Sequence, residues 1–382
     1  MSHALQTAEA LRPLLREHAA ASEQQRRLGA EVFAALDAMG AFTLQLAAAH
    51  GGAGIDPLTY LEVIEALSRG DASAGWCAMV ASESSGCVAA YLAPATADAI
   101  LRTAPRTIVA FTAVGTGKAV VTADGLRVSG RWRFASGCRQ AHWLGALCVV
   151  EDAHGPCMRP SGAPLTRVVF VPATCAELID TWQVSGLRGT ASDDFVLDDV
   201  AVPGAYGFDP AAGAVDPAPQ WRIPLGLRLA MSKGAAVLGM ARAILDAGVP
   251  TLTRKPFAGA RPAREEPRVQ MLVAEAEAAL RSARAYFYAE ASRTWQHARA
   301  GHDFDATARA DMRLAVVTAS HGAQAAVRAL QRAAGTSAVL DGAFDRAARD
   351  LEVARHHLQL QDHVLEDAGR VLLGSAPLNP MF

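Results

Sequence analysis

Residues 130–138 read GRWRFASGC and close a Gly-rich, strand-like segment. Trp132 and Phe134 are two positions apart, so a regular strand places both rings on one face. Ser136 and Gly137 follow, and they add a hydroxyl group and a backbone that allows close approach. Such a surface suits a planar ring that carries hydrogen-bonding groups. Two core aromatics ahead of a Ser-Gly turn are the simpler interpretation, and the stretch alone favours it.

Outside this stretch the sequence pattern changes twice along the chain. Residues 107–202 contain short β-like runs separated by Gly, Pro and Asp, which predict an antiparallel β domain. The residues before it, and everything after Leu225, carry apolar side chains at helical spacing, including a buried helix of small residues that starts at Asp71. The bundle helices are predicted at residues 225–247, 269–299, 304–333 and 346–372. The sequence therefore predicts a mostly helical α+β chain with an N-terminal helical domain (1–106), a middle antiparallel β-barrel or sandwich domain (107–215) and a C-terminal four-helix bundle (216–382).

Composition limits the classes of function. The 382 residues are 51% hydrophobic and 19% charged, with a formal net charge of -2, which excludes wholesale disorder and gives no basic stripe for nucleic acid. The six cysteines form no C-x-x-C pair and no zinc-like cluster, so we expect reduced thiols in a cytoplasmic protein and no metal. No uninterrupted apolar run reaches the roughly 18 residues of a membrane span, so we expect no membrane association.

Three motifs in order resemble the acyl-CoA dehydrogenase superfamily. GGAGIDPLTYLEVIEALSRGDASAGW (residues 51–76) resembles its N-terminal signature, and VSGLRGTASDDFVLDDVAVP (residues 184–203) is similar to the segment that closes its β domain. GRWRFASGC is similar to the strand that lies against the flavin. One departure is Ala47, where the superfamily often has proline ahead of the Gly-Gly turn. The resemblance covers nearly the whole chain and implies the acyl-CoA dehydrogenase fold.

A motif near the C-terminus separates two chemistries within that superfamily. RDLEVARHH (residues 349–357) resembles the two-component flavin-dependent monooxygenases, in which an active-site histidine follows the arginine of an Arg-Asp pair by eight residues. The resemblance assigns this role to His357, and His356 fits the pattern less well. On one continuous helix Asp350 and His357 share a face roughly 10 Å apart, so both are expected to line the substrate pocket.

The resemblance also implies a set of flavin contacts. Ser136 is expected to place a hydroxyl near flavin N5 and to be catalytic together with His357. Trp132 and Phe134 are expected to form part of an apolar wall, although a role in the core remains open for both. The other expected cofactor-binding residues are Gly137, Thr112 beside the Gly115-Thr116-Gly117 turn, Ser192, and Arg254 with Lys255 for phosphate across a subunit interface.

The function implied is that of the oxygenase component of a two-component flavin-dependent monooxygenase. It would take FMN or FAD, as FMNH2 or FADH2, from a separate NAD(P)H-dependent flavin reductase and form a C4a-hydroperoxyflavin with O2. This species would hydroxylate a small aromatic or heteroaromatic substrate, with His357 as the substrate-side base or as the hydrogen-bonding partner of the peroxide. The superfamily usually builds homotetramers through its C-terminal bundle, and the Ala-rich helices are compatible with that.

Two other interpretations remain open from the sequence. An acyl-CoA dehydrogenase-like flavoprotein would oxidise an acyl thioester with a glutamate base, and Glu352 and Glu366 are the available carboxylates, although neither lies in a matching context. A degenerate, non-catalytic member of the fold would serve as a binding or scaffold protein.

Overall fold

Helices occupy both ends of the chain, and a sheet lies between them in sequence. The computed structural model describes residues 1–254 and 262–379, without the side chains of Thr116 and Arg254. The helices are α1 (His3–Gln25), α2 (Ala30–Ala38), α3 (Pro57–Gly70), α4 (Ala72–Tyr91), α5 (Pro94–Leu101), α6 (Pro219–Arg222), α7 (Leu225–Arg254), α8 (Pro267–Ala300), α9 (Ala306–Ala334), α10 (Ala343–Arg355) and α11 (His363–Leu372). The strands are β1 (Val109–Thr122), β2 (Gly125–Ala135), β3 (Trp143–Asp152), β4 (Gly155–Pro156), β5 (Thr166–Pro172), β6 (Glu177–Ile179), β7 (Asp193–Val202) and β8 (Gly207–Phe208). The mostly helical α+β fold predicted from the sequence is confirmed.

Helix α4 is buried along nearly its whole length, as its small side chains predict. A Cβ added at Gly75 would lie 2.2 Å from Ser68 Oγ, so α3 and α4 approach more closely than larger residues allow. Asp71 ends α3 and begins α4, because its carboxylate accepts a hydrogen bond of 2.6 Å from the backbone N–H of Ala74. Helix α3 therefore ends at Gly70 and α4 begins at Ala72, with Asp71 as the single residue between them.

The sheet has the order β6-β7-β2-β1-β3-β5-β8, with β4 paired to β3. Neighbouring strands are antiparallel except β1 and β3, which run parallel and pair Val109 with Trp143. The expectation of a purely antiparallel sheet is therefore wrong at this pair. β1 and β2 form a hairpin, and β3 returns on the far side of β1, so that the chain between β2 and β3 must cross over.

The C-terminal bundle contains α7, α8 and α9 close to their predicted positions, and α9 packs against both of the others. The last predicted helix, over residues 346–372, is in fact two helices, α10 and α11, separated by a turn. Within the described ranges, Leu225–Thr253 of α7 is the one stretch long and apolar enough to cross a membrane, but 61% of the apolar window is buried inside the protein. Its apolar side chains therefore serve the core of the bundle.

One apolar core joins the N-terminal helices to the bundle and includes Ile64, Leu238 and Leu330. The sheet has a separate core that includes Val128 and Trp132. Helix α4 packs against β1 on one side and against α3 and α7 on the other. The Ser-Gly turn after β2 and the residues after α10 both contact Trp76 of α4 at this junction.

Candidate active site

A β-bulge at the end of β2 separates the two aromatics of GRWRFASGC. The pairing of β2 with β7 shifts register between Trp132 and Ala135, and Phe134 has a left-handed backbone with φ of 62°. As a result Trp132 is 0% exposed, whereas Phe134 is 46% exposed. The prediction that the two rings share one face is wrong, because the extra residue of the bulge turns Phe134 outward.

Trp132 belongs to the core of the sheet and not to a flavin-facing wall, which corrects the prediction made for it. Its ring stacks on Phe195 at a centroid distance of 5.2 Å, and its indole N–H donates to the Leu147 carbonyl at 2.7 Å. A Cβ added at Gly117 would lie 1.9 Å from the Trp132 ring, and one at Gly115 would lie 2.7 Å from it. These glycines, predicted to form a turn beside the flavin, lie within β1 and make room for the indole.

The Thr112 side chain hydrogen-bonds to the backbone of the same bulge. Its hydroxyl donates to the Arg133 carbonyl at 2.7 Å and accepts from the Val114 backbone N–H at 3.2 Å. The predicted contact between Thr112 and the cofactor ring stays a prediction, and within the sheet the hydroxyl already donates one hydrogen bond and accepts one. Thr112 fixes the backbone that presents Phe134.

Phe134 forms one wall of a surface cleft together with Trp182. The two rings meet edge to face at a centroid distance of 6.1 Å, and the guanidinium of Arg133 lies 5.0 Å from the Phe134 centroid. Asp193 holds Trp182 in place, since its carboxylate accepts from the Thr181 and Trp182 N–H groups at 3.1 Å each. The cleft has about 540 Å³ of space, and its lining residues are Arg131, Arg133, Phe134, Thr181, Trp182, Val184, Ser192 and Asp194.

A chain of buried hydroxyls lies behind this cleft. Trp76 Nε1 donates to Ser136 Oγ at 3.2 Å, Ser136 and Ser192 are 2.7 Å apart, and Ser192 and Thr190 are 2.6 Å apart. Thr190 Oγ1 donates to the Leu187 carbonyl at 2.8 Å. An indole N–H can only donate and a carbonyl can only accept, so both ends of the chain have a fixed direction. Every hydroxyl therefore donates toward Leu187, and Ser136 gives its proton to Ser192.

The loop that carries this chain is held in unusual backbone conformations. Leu187 and Ala191 have φ of 50° and 45°, and Gly137, with φ of 75°, donates from its N–H to the Thr190 carbonyl at 2.9 Å. Left-handed non-glycine residues cost on the order of 1 kcal/mol each, and such strain is concentrated at functional sites. Two thiols buttress the loop, because Cys77 and Cys138 donate from Sγ to the Thr190 and Ala191 carbonyls.

His357 lies in the turn between α10 and α11 and not on a continuous helix. Helix α10 ends at Arg355, and His357 begins a short 3-10 turn over Leu358–Leu360. The predicted helical register between Asp350 and His357 is therefore wrong. The turn brings the His357 ring edge to face with Trp76, at a centroid distance of 5.7 Å. Through Trp76, His357 is next to the hydroxyl chain that begins at Ser136.

The surroundings of His357 favour its neutral form. Enclosure by protein atoms and the positive charge of Lys233 lower the pKa of His357 to about 3. Its Nδ1 accepts a hydrogen bond of 3.2 Å from the Gln359 N–H. In a neutral imidazole whose Nδ1 accepts, the proton is on Nε2. His357 is therefore a hydrogen-bond donor at Nε2 over the whole neutral pH range.

Asp350 lines a different cavity from the one predicted. Its carboxylate accepts from the Leu187 N–H at 2.6 Å and faces Asp71 and Arg346 across a cavity of about 180 Å³ between α1, α3, α7 and α10. Burial raises the pKa of Asp71 to about 6. Burial and the charge of Asp71, which ionises first, raise the pKa of Asp350 to about 7. Asp350 thus anchors the end of the hydroxyl chain and not a substrate.

A second charged cluster lies on the helical side of Trp76. Lys233 Nζ donates to Glu83 at 2.5 Å, Ser232 donates to the same carboxylate, and all three side chains are buried. Burial raises the pKa of Glu83, although Lys233 and Ser232 oppose that shift. The carboxylates considered for a dehydrogenase base, Glu352 and Glu366, are both exposed.

Several residues of the candidate site were not identified from the sequence. Trp76 lies inside a quoted motif and Thr190 and Trp182 lie in or beside another, but their roles depend on contacts across the fold. Lys233 could have been noticed as a lone lysine in the apolar sequence LRLAMSKGAAVLGMA. Arg254 is the last residue of α7, and its side chain, like the whole of Lys255, lies outside the described residues.

Comparison with known proteins agrees with this architecture. Residues 5–103 match the family model "Acyl-CoA dehydrogenase, N-terminal domain", and residues 231–362 match "Acyl-CoA dehydrogenase, C-terminal domain". The chain is 31% identical to indole-3-acetate monooxygenase of Pseudomonas putida over 379 residues, which cover 97% of this chain and 94% of that protein. It is 30% identical to the flavin-dependent monooxygenase oxygenase subunit HsaA of Mycobacterium tuberculosis over 361 residues, or 91% and 89% of the two chains. The crystal structure of HsaA from M. tuberculosis superposes with a TM-score of 0.90 at 26% identity and 99% coverage of each chain.

The fold and the site define a flavoenzyme of the acyl-CoA dehydrogenase type. Within that class the matched relatives are oxygenases and not dehydrogenases. The chain belongs to the family of flavin-dependent monooxygenase oxygenase components built on the acyl-CoA dehydrogenase fold. It is an enzyme that uses reduced flavin and O2 to hydroxylate an aromatic substrate, as predicted from the sequence.

Proposed function

We propose that the reaction takes place between Ser136, Trp76 and His357, on a small aromatic or heteroaromatic substrate. The observation that carries this proposal is the direct link between the three residues, from Ser136 Oγ through the Trp76 indole to the His357 ring. A separate NAD(P)H-dependent reductase would supply the reduced flavin. Indole-3-acetate is a first candidate substrate, because a relative with 31% identity is named for it.

The residues of the cleft fit a flavin. Phe134 and Trp182 offer apolar ring surfaces, Arg131 and Arg133 offer positive charge, and Ser192 connects the cleft to the hydroxyl chain. When bound, reduced flavin supplies the two electrons with which O2 yields one oxygen atom to the substrate and one to water. Whether the chain prefers FMN or FAD depends on the phosphate side, where Arg254 and Lys255 are our candidates.

Ser136 acts as an acceptor in this proposal. Because its proton is donated to Ser192, Ser136 presents only a lone pair on its free side. Reduced flavin carries a hydrogen on N5, whereas oxidised flavin does not. The direction of the hydroxyl chain therefore favours the reduced cofactor, which is the form that an oxygenase component receives.

His357 acts as a hydrogen-bond donor and not as a base. A phenol has a pKa of about 10, and the lowered pKa of His357 further disfavours transfer of the phenol proton to its imidazole. Its Nε2–H instead donates to the oxygen that is transferred or to the substrate, and the adjacent indole of Trp76 excludes water. This choice decides between the two roles considered from the sequence.

The described carboxylates give little support to thioester oxidation. A dehydrogenase needs an ionised carboxylate beside the reacting carbon, but Glu83 is paired with Lys233 and Asp350 faces Leu187.

All six cysteines are free thiols, which supports our assignment of the protein to the cytoplasm. We further propose a homotetramer assembled through the C-terminal bundle, as is usual for the superfamily.

Rapid mixing tests the proposed function directly. The protein is loaded anaerobically with reduced FMN or FADH2 and mixed with ¹⁸O2 in the presence of indoles or phenols. We expect one ¹⁸O atom per molecule of product and less hydrogen peroxide than in free solution. Flavin oxidation with stoichiometric peroxide and no labelled product, across the substrate panel, would contradict the proposal. Flavin reduction by an acyl-CoA would favour the dehydrogenase instead.

A further inference from the structure

Arg228, in the first turn of α7, is half-buried and forms no ion pair with the described carboxylates. Its Nε and Nη2 atoms are buried and lack a hydrogen-bond partner, and across the described ranges no carboxylate lies within 4.0 Å of it. A guanidinium that is partly withdrawn from water and has no ion pair is less stable than a paired one. A cation held in this state at a cleft is available for an external anion.

The neighbours of Arg228 hold the side chain but do not neutralise it. Its guanidinium carbon lies 4.5 Å from the Trp221 ring centroid and 6.0 Å from that of Tyr91. Burial raises the pKa of Cys87 to about 11 and also raises that of Tyr91, although the charge of Arg228 and hydrogen bonds to its side chain act in the opposite direction. Both groups are neutral at physiological pH. Glu83 lines the same cleft, but its carboxylate is already bonded to Lys233 and Ser232.

The cluster therefore contains two cations and one anion next to the proposed reaction centre. Glu83 follows Trp76 by seven residues on α4, so it lies on the same face about 10 Å further along the helix. The charge of Lys233 also reaches His357, where it disfavours protonation.

The size of the cleft limits what enters it. The space open to water-sized molecules is about 20 Å³, which holds one or two waters but no aromatic ring. Gln45, Tyr60 and Leu229 close its sides. The cleft therefore suits a small polar substituent of a larger molecule, and the rest of that molecule would lie outside it.

We propose that Arg228 binds the carboxylate of the substrate, which makes this enzyme a hydroxylase of aromatic acids. The inference rests on the proposed function for the position of the ring, and it adds the chemical class of the substrate. A carboxylate matches the planar fork of a guanidinium and restores the charge balance of the cluster.

Matched acid and neutral probes test this inference. Wild type, Arg228→Met, Arg228→Lys and the exposed control Arg328→Met are compared on indole-3-acetate against 3-methylindole and on phenylacetate against toluene. We expect Arg228→Met to raise KM and Kd for the acids about 10- to 100-fold while kcat changes by less than about threefold. Binding of the neutral partners is unchanged, Arg228→Lys recovers part of the loss, and Arg328→Met behaves as wild type.

The dissociation constants of the acid and neutral probes are measured by calorimetry, so that this test does not depend on oxygenation. If wild type binds neither acid more tightly than its neutral partner, or if Arg228→Met weakens both partners equally, the inference is overturned while the proposed function stands. If the acids bind in an Arg228-dependent manner but no probe is oxygenated, the proposed function fails and the assignment of Arg228 survives. Should Arg228→Met not fold, the wild-type preference and the Arg228→Lys variant still decide between these outcomes.

Discussion

The β side of the candidate site carries neutral hydroxyls on Ser136, Ser192 and Thr190, and every one of their protons has an acceptor. The helical side carries Lys233, Glu83 and Arg228, and there one positive charge is left over. A satisfied neutral chain holds its shape and offers one lone pair, whereas an unbalanced cluster attracts a charged partner. Under the two proposals made above, the β side orients the cofactor and the helical side selects the substrate. Trp76 and His357 connect the two sides.

Among the variants that test this comparison, His357→Ala should have the largest effect on hydroxylation. His357→Ala should lower hydroxylation about 100-fold or more, because it deletes the proposed Nε2–H donor beside Trp76. Reduced-flavin binding should be retained, since the ring contacts Trp76 and not the cleft. The neighbouring, exposed His356→Ala is the control and should keep wild-type rates. Steady-state product formation and flavin titration measure both effects, and wild-type hydroxylation by His357→Ala would remove this residue from the mechanism.

Breaking the hydroxyl chain should have the next largest effect. Ser136→Ala leaves the Trp76 N–H without an acceptor and removes the lone pair, which should lower coupling of flavin oxidation to product about 10-fold. Ser129→Ala, on the same strand, should not change coupling. Peroxide release and product are measured together. A Ser136→Ala enzyme with normal coupling would show that the β side does not orient the reduced cofactor.

The Asp350 carboxylate of α10 accepts a hydrogen bond from the Leu187 N–H, at the end of the hydroxyl chain. Substitution of Asp350 should therefore change the thermal stability of the protein. Since the pKa of Asp350 is raised from 3.8 to about 7, its favourable contribution is complete below pH 3.8 and is lost as the pH rises through about 7. Asp350→Asn keeps an acceptor for the Leu187 N–H without the charge, so it should raise Tm by a few degrees at pH 8 and leave it nearly unchanged at pH 4. Thermal melts across this range measure the effect, with the exposed Asp341→Asn as control. An equal shift at both pH values would contradict the assigned ionisation.

The two aromatics of the bulge should give the smallest and most specific pair of effects. Trp132→Phe should cost about 1–2 kcal/mol of unfolding free energy, because it loses the bond to Leu147 and part of the stack on Phe195, but flavin affinity should not change. Phe134→Ala should weaken flavin binding several-fold with little effect on stability. Urea unfolding and flavin titration separate these outcomes, and a reversal of the pattern would return Trp132 to the flavin wall.

The order of helices and strands was predictable because it depends on local periodicity. Small residues predicted the burial of α4, and the three motifs predicted the family. The break before His357 was not predictable, since residues 355–363 contain neither glycine nor proline, and the turn is stabilised by tertiary bonds such as the one from Arg313 to Gln359 at 2.6 Å.

The bulge at Phe134 was not predictable from the sequence either, because it depends on the pairing of β2 with β7. Strand alternation predicts which face a side chain takes only while the register is regular, and one extra residue inverts every later assignment. The role of Ser136 near the flavin stays a prediction, and the direction of its hydrogen bond depends on Trp76 and Leu187, which are distant in sequence. Arg228 showed no motif, because its importance lies in the partner that it lacks.

The two thiols behind the hydroxyl chain bear on how long the enzyme survives its own chemistry. An oxygenase that reduces O2 without a substrate in place releases hydrogen peroxide, and cysteine is oxidised by peroxide through its thiolate. Burial raises the pKa of Cys138 to about 12 and raises that of Cys77 as well, so almost none of either is ionised in the cell. The loop beside the proposed reaction centre is therefore supported by sulfur atoms in their least oxidisable form.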